Sequence, residues 1–146
     1  MENIIYITPE QARITHAKKV EYSGGGTLEE IDFGRLEGVL YNIQNDDWYP
    51  TFVDKLTHLF FCTCQFHCFA DGNKRLAITL STLFLLLNGY LSVAETFLAK
   101  TENICLNVAA SKIDKELLHQ IIQAIMDGTY DDDESLKLEI FRAISE

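Results

Sequence analysis

Apolar positions recur with helical spacing along most of the chain, and clusters of polar, glycine and proline residues divide them into segments. Thr8, Pro9, Glu10 and Gln11 supply an N-cap, a first-turn proline, an acid and the partner of a capping box, which predicts a helix to about Glu21. The stretch YSGGGTLEEIDF, Tyr22 to Phe33, breaks that helix with three glycines and suits a short extended flap. Asp32 is placed to cap a second helix through FGRLEGVLYNIQ, in which Leu36, Val39, Leu40 and Ile43 fall at i, i+3, i+4 and i+7. After a polar loop from Asn45 to Pro50, TFVDKLTHLFFCTCQF predicts a helix that turns Phe52, Leu56, Leu59, Phe60 and Phe66 inward.

From Asn73 to Asn88 the pattern is apolar nearly all round, as expected of a helix buried on most sides, and Asn88-Gly89 supplies the left-handed residue that stops it. One further helix is predicted over Val93 to Ala110. Another lies in KELLHQIIQAIMDG, where Leu118, Ile121, Ile122 and Ile125 share a face ahead of Gly128. The tail, TYDDDESLKLEIFRAISE, reads as an acidic linker, a cap at Ser135 and a short helix with Leu136, Ile140, Phe141 and Ile144 on one side. The expected fold is mainly α, a single-domain helical bundle.

Composition narrows the function. A chain of 146 residues, 47% of them hydrophobic, has the usual size of one domain. Its 22 acidic against 12 basic residues give a net charge of -10, which repels a phosphate backbone, so no nucleic-acid partner is expected. The uncharged run Leu76 to Ala94 approaches the length that crosses a bilayer. It is interrupted by Thr79, Ser81, Thr82, Asn88, Gly89 and Ser92, and so reads as a core helix and not a membrane span. The opening MENIIYITPEQ has no secretory signal pattern, and a cytoplasmic location is expected. Cys62, Cys64, Cys68 and Cys105 are expected to be reduced thiols behaving as small hydrophobes, because a cluster on one helix end does not easily surround zinc. His16, His58 and His119 show no ligand spacing to acids or cysteines and are assigned no role.

The polar stretch HCFADGNKR, His67 to Arg75, interrupts the most apolar part of the chain, at the turn between two predicted core helices. Unpaired backbone N–H groups and the positive end of a helix dipole gather at such a turn, and glycine lets an anion approach closely. His67 has the side chain suited to take a proton from a hydroxyl near neutral pH. Asp71 offers a hard oxygen to magnesium. Gly72 and Asn73 offer donors, and Lys74 and Arg75 offer charge, to one anion. Each residue taken alone also fits a plainer role: a histidine cap, an Asp-Gly turn, a solvated Lys-Arg pair.

Taken together, HCFADGNKR resembles the HxFx(D/E)GN(G/K)R signature of the Fic/Doc (Fido) family, and lysine before the final arginine resembles the Doc, or death-on-curing, branch. ITPEQ, YSGGG followed by DFGRLEGVL, and LFLLLNGY are similar in order and spacing. The resemblance implies a Fido-fold domain over residues 1–128, with residues 129–146 as an acidic linker and terminal helix packed on it or appended. It further implies an enzyme that transfers part of ATP, with magnesium, onto a hydroxyl of a target protein. By position, His67 is then the general base, Asp71 the magnesium ligand, Gly72, Asn73, Lys74 and Arg75 the phosphate-binding residues, and Phe69 a structural peg. In adenylyl-transferring members glycine stands at the place of Lys74, and a second arginine at the place of Ile78. The departure at both places favours the Doc-like reaction: γ-phosphoryl transfer to a target such as a translation elongation factor, with a separate antitoxin chain as partner. Adenylyl transfer on the same fold is the alternative, and a non-catalytic nucleotide- or partner-binding module the third. SLKLEI, Ser135 to Ile140, approaches the family's inhibitory (S/T)xxxE(G/N) motif but ends in isoleucine, and reads as an ordinary amphipathic helix.

Overall fold

The computed structural model describes residues 3–22, 30–66 and 73–145. It is mainly α-helical, and its helices pack around one continuous apolar core. Helix α1, Pro9–Tyr22, begins on the predicted capping box: the Gln11 N–H donates to Thr8 Oγ1 (3.1 Å) and the Thr8 N–H to Gln11 Oε1 (2.9 Å). The glycine-rich flap region lies for the most part outside the described residues. Helix α2, Phe33–Asn42, buries Phe33, Leu36, Val39 and Leu40 as its periodicity requires. Asp32 occupies its N-cap position but makes no side-chain cap; its carboxylate turns instead to Arg35 Nε, 2.9 Å away, a charged partner that outcompetes a backbone amide.

Helix α3, Phe52–Gln65, is central. It starts on a full capping box between Thr51 and Asp54, and packs against α2, α4, Glu102–Ala109 (α6) and Lys115–Asp127 (α7). Leu56, Leu59 and Phe60 are fully enclosed, while Phe52 and Phe66 at its two ends are half-buried. Helix α4, Asn73–Leu87, contacts α1, α3, α6 and Leu91–Lys100 (α5). Its end is a Schellman turn on Gly89, at φ 86°: the Tyr90 N–H reaches Leu85 O (3.0 Å) and the Gly89 N–H reaches Leu86 O (3.1 Å). Asn88 then ties down the N-terminal segment, accepting from the Ile5 N–H (2.8 Å) and donating to Ile5 O (2.9 Å).

The single helix expected over Val93 to Ala110 is two, α5 and α6, broken at Thr101. Thr101 is buried, and its hydroxyl donates back to Phe97 O at 2.7 Å, a competition with the helix ladder that bends the chain there. Helix α7 is capped by Asp114, whose carboxylate accepts from the Leu117 N–H (2.8 Å), and ends on Gly128 at φ 75°. A short 3-10 turn, Tyr130–Asp132, leads into α8, Glu134–Ser145. Its cap is Asp133 and not Ser135, since the Leu136 N–H donates to Asp133 Oδ1 at 3.0 Å. Leu136 and Ile140 join the core where α8 lies on α7, but Phe141, expected on the same face, is exposed. Among the described residues no helix is long and apolar enough to cross a membrane.

Candidate active site

Helix α4 begins at Asn73, so the last three residues of the polar motif form its first turn. His67, Asp71 and Gly72, together with Phe69, lie outside the described residues. Helix α3 ends one residue before Phe66, the residue that precedes His67 in sequence, and the Phe66 backbone N–H still donates to Cys62 O at 3.0 Å. The two helices that flank the motif are thus packed core elements, held by Leu56, Leu59 and Phe60 on one side and Leu76, Leu80 and Phe84 on the other.

Lys74 and Arg75 are exposed, while Leu76 and Ala77 directly after them are buried. The register therefore turns both cations outward from the core. They line a cavity of about 400 Å³ with Ile78 and Thr79 of α4, Leu98 of α5, and Glu102, Cys105 and Leu106 of α6. Two cations on the first turn of a helix oppose its dipole, an arrangement that an anion bound there relieves. Glu102 of α6 sets one carboxylate in the same lining as these two cations.

Periodicity within one helix did not reveal what α6 brings to this cavity. Cys105 lies 31 residues beyond Lys74, yet its thiol reaches the Lys74 carbonyl at 3.8 Å. Arg35 is a further cation near the motif: its guanidinium stands 5.4 Å from the centre of the Phe66 ring while pairing with Asp32. No pattern in the sequence marks it except its place beside a helix cap.

A comparison with known families matches residues 6–85 to the Fic/DOC family. The match spans more than half of the chain and contains α1, α2, α3 and the motif. The chain belongs to the Fic/DOC family. No curated protein sequence matches it. Fic/DOC membership brings nucleotide-dependent transferase chemistry at the family level, with ATP and magnesium the usual reactants, and agrees with the helical single-domain bundle.

Away from the Fic/DOC motif, two histidines given no role from the sequence do have partners. His58 stands one helical turn before Cys62 on α3, with its ring 3.6 Å from the Cys62 sulfur. Its Nδ1 accepts from Lys115 Nζ at 2.7 Å and its ring stacks on Tyr49, with centroids 4.6 Å apart. Burial and the Lys115 charge push its pKa down to about 4. His119 Nε2 meets Asp54 Oδ1 at 2.9 Å. Burial works to raise the Asp54 carboxyl, but hydrogen bonds from Thr51 and His119 outweigh it and hold the group below its ordinary value. The partners come from α3 and α7, 57 and 65 residues apart in sequence, a separation that no local pattern spans.

Proposed function

We propose that this Fic/DOC protein is a Doc-like kinase that moves the γ-phosphoryl group of ATP to a serine or threonine hydroxyl of a target protein, such as a translation elongation factor. The observation that carries this reading is the wall of the cavity beside the motif. Lys74 and Arg75 present charge at its edge, and one turn further along the same wall stands Ile78, which is apolar. Adenylyl-transferring relatives resemble this chain elsewhere in the motif but have glycine and arginine at those two places. A lysine side chain where an α-phosphate approaches, and no arginine one turn on, favour the nucleotide pose that brings the γ-phosphate to the acceptor.

In this reading His67 takes the proton from the acceptor hydroxyl as the new O–P bond forms. Gly72 and Asn73 offer their donors, and Lys74 and Arg75 their charge, to the phosphate oxygens, so catalysis is chiefly positioning and charge stabilisation. Asp71 is the residue suited to hold magnesium, which when bound neutralises phosphate charge. A separate antitoxin chain is the proposed regulator, and the cytoplasm the proposed location.

The test uses ATP labelled at either the α or the γ phosphorus, with a lysate containing the target. Label should pass to protein from the γ position alone, and His67→Ala should slow the transfer on the order of a hundredfold or more. Retention of α label would instead make the chain an adenylyltransferase. Transfer that is indifferent to His67→Ala would remove the proposed base.

A further inference from the structure

Cys64 and Cys105 are two thiols to which the proposed reaction gives no role. Cys64 is the penultimate residue of α3, three before His67; Cys105 lies in the middle of α6. Both are free and buried, and their sulfurs are 2.8 Å apart. Cys105 also belongs to the lining of the cavity that holds Lys74 and Arg75, although it is itself almost fully enclosed, so a small oxidant reaches its sulfur only as that wall opens. The pair thus joins three things at one point: the end of α3, the carbonyl of Lys74, and the wall of the cavity.

We propose that Cys64 and Cys105 form a site of reversible oxidation, closing to an intramolecular disulfide on exposure to a peroxide and thereby weakening the nucleotide seat beside it. The steps balance with hydrogen peroxide as oxidant. The Cys105 thiolate attacks one peroxide oxygen, an S–O bond forms as the O–O bond breaks, and the released hydroxide takes up a proton to become water. The Cys64 sulfur then attacks the resulting sulfenic sulfur. The S–S bond forms, the S–O bond breaks, and the departing hydroxide takes the Cys64 proton as a second water. Two thiols lose two electrons and two protons, and one peroxide becomes two waters.

The electrostatics assign the two roles. The hydrogen bond from Cys64, helped by the Lys74 charge, holds the Cys105 thiol below its ordinary pKa against the opposing effect of burial. Burial, and the hydrogen bond it gives to Cys105, push Cys64 up. Cys105 is therefore the attacking thiolate and Cys64 the resolving thiol. In the disulfide, Cys105 has no S–H left to offer the Lys74 carbonyl, 3.8 Å away in the reduced chain, and its sulfur is bonded toward α3. The wall shared by Lys74, Arg75 and Cys105 changes as a consequence. This effect on nucleotide rests on the function proposed above; the thiol chemistry does not.

The full chain treated with stoichiometric hydrogen peroxide should give, on peptide mapping without reductant, a Cys64–Cys105 link that a thiol reductant reverses. The link should raise the thermal midpoint by about 5–10 °C, as closing a long loop does. Cys105→Ala and Cys64→Ala should each abolish the link, and Cys62→Ser should leave it intact. The reduced chain should bind ATP several-fold more tightly than the oxidised one. A link between other cysteines, or none, would overturn the oxidation site. A Cys64–Cys105 link with unchanged ATP affinity would overturn its control of the seat. Should neither form bind ATP, the nucleotide reading itself fails, and mapping alone decides the thiol chemistry.

Discussion

Lys55 is fully enclosed, and its ammonium group is held by Ile43 O at 2.7 Å and Asp46 Oδ1 at 2.8 Å. Those bonds fasten the start of the loop from Asn45 to Pro50 onto α3. Lys55→Ala should cost about 3 kcal/mol in chemical denaturation, because it leaves a cavity and strands the buried Ile43 carbonyl, while the exposed Asp46 returns to water. His58 gives the fold a pH dependence of known sign. Its pKa is about 4 when folded, below the ordinary value of 6.5, so the unfolded chain takes up a proton first as pH falls. The stability that neutral His58 allows is complete above pH about 6.5 and is lost progressively from there down to about 4. For this half-buried ring the loss by pH 5 is on the order of 1–2 kcal/mol. His58→Phe should flatten the fall in thermal midpoint between pH 7 and pH 5, while Asp54, with a depressed carboxyl pKa, acts only at lower pH.

At the scale of elements, helix ends decide where the chain turns. Asp133→Ala should destabilise the protein by about 1 kcal/mol and Ser135→Ala by only a few tenths, since Asp133 makes the cap bond to Leu136. Thermal unfolding of the two variants side by side reads the difference. The capping box on α1 and the glycine stops after α4 and α7 were legible because each depends on residues within one turn. The break at Thr101 was not, because its cause is burial of a threonine against Phe97, which the local pattern of α5 and α6 does not display. At the acidic linker, Asp131, Asp132, Asp133 and Ser135 all have capping chemistry, and only the path of the 3-10 turn selects among them.

For the molecule as a whole, α3 and α4 form the packed frame, and the helices after residue 90 complete the cavity. The bundle could be read from spacing, and so could the place of Asn73, Lys74 and Arg75 on the first turn of α4. The contribution of α5 and α6 could not, since Leu98, Glu102, Cys105 and Leu106 reach Lys74 and Arg75 only through tertiary packing. Helix α8 covers α7 with Leu136 and Ile140, and Glu139 is exposed. Ending the chain at Gly128 should therefore lower stability by about 3–5 kcal/mol in denaturant, because it removes the burial of two aliphatic side chains and exposes the α7 surface they cover. It should not raise the transfer rate per folded molecule, as removing an inhibitory helix would. The most direct measurement of the central claim is the intact mass of an acceptor protein after incubation with ATP, magnesium and either the wild-type chain or His67→Ala. The account predicts the added mass of one phosphoryl group with wild type and almost none with the variant. An added mass of AMP, or an equal gain with both chains, would contradict it.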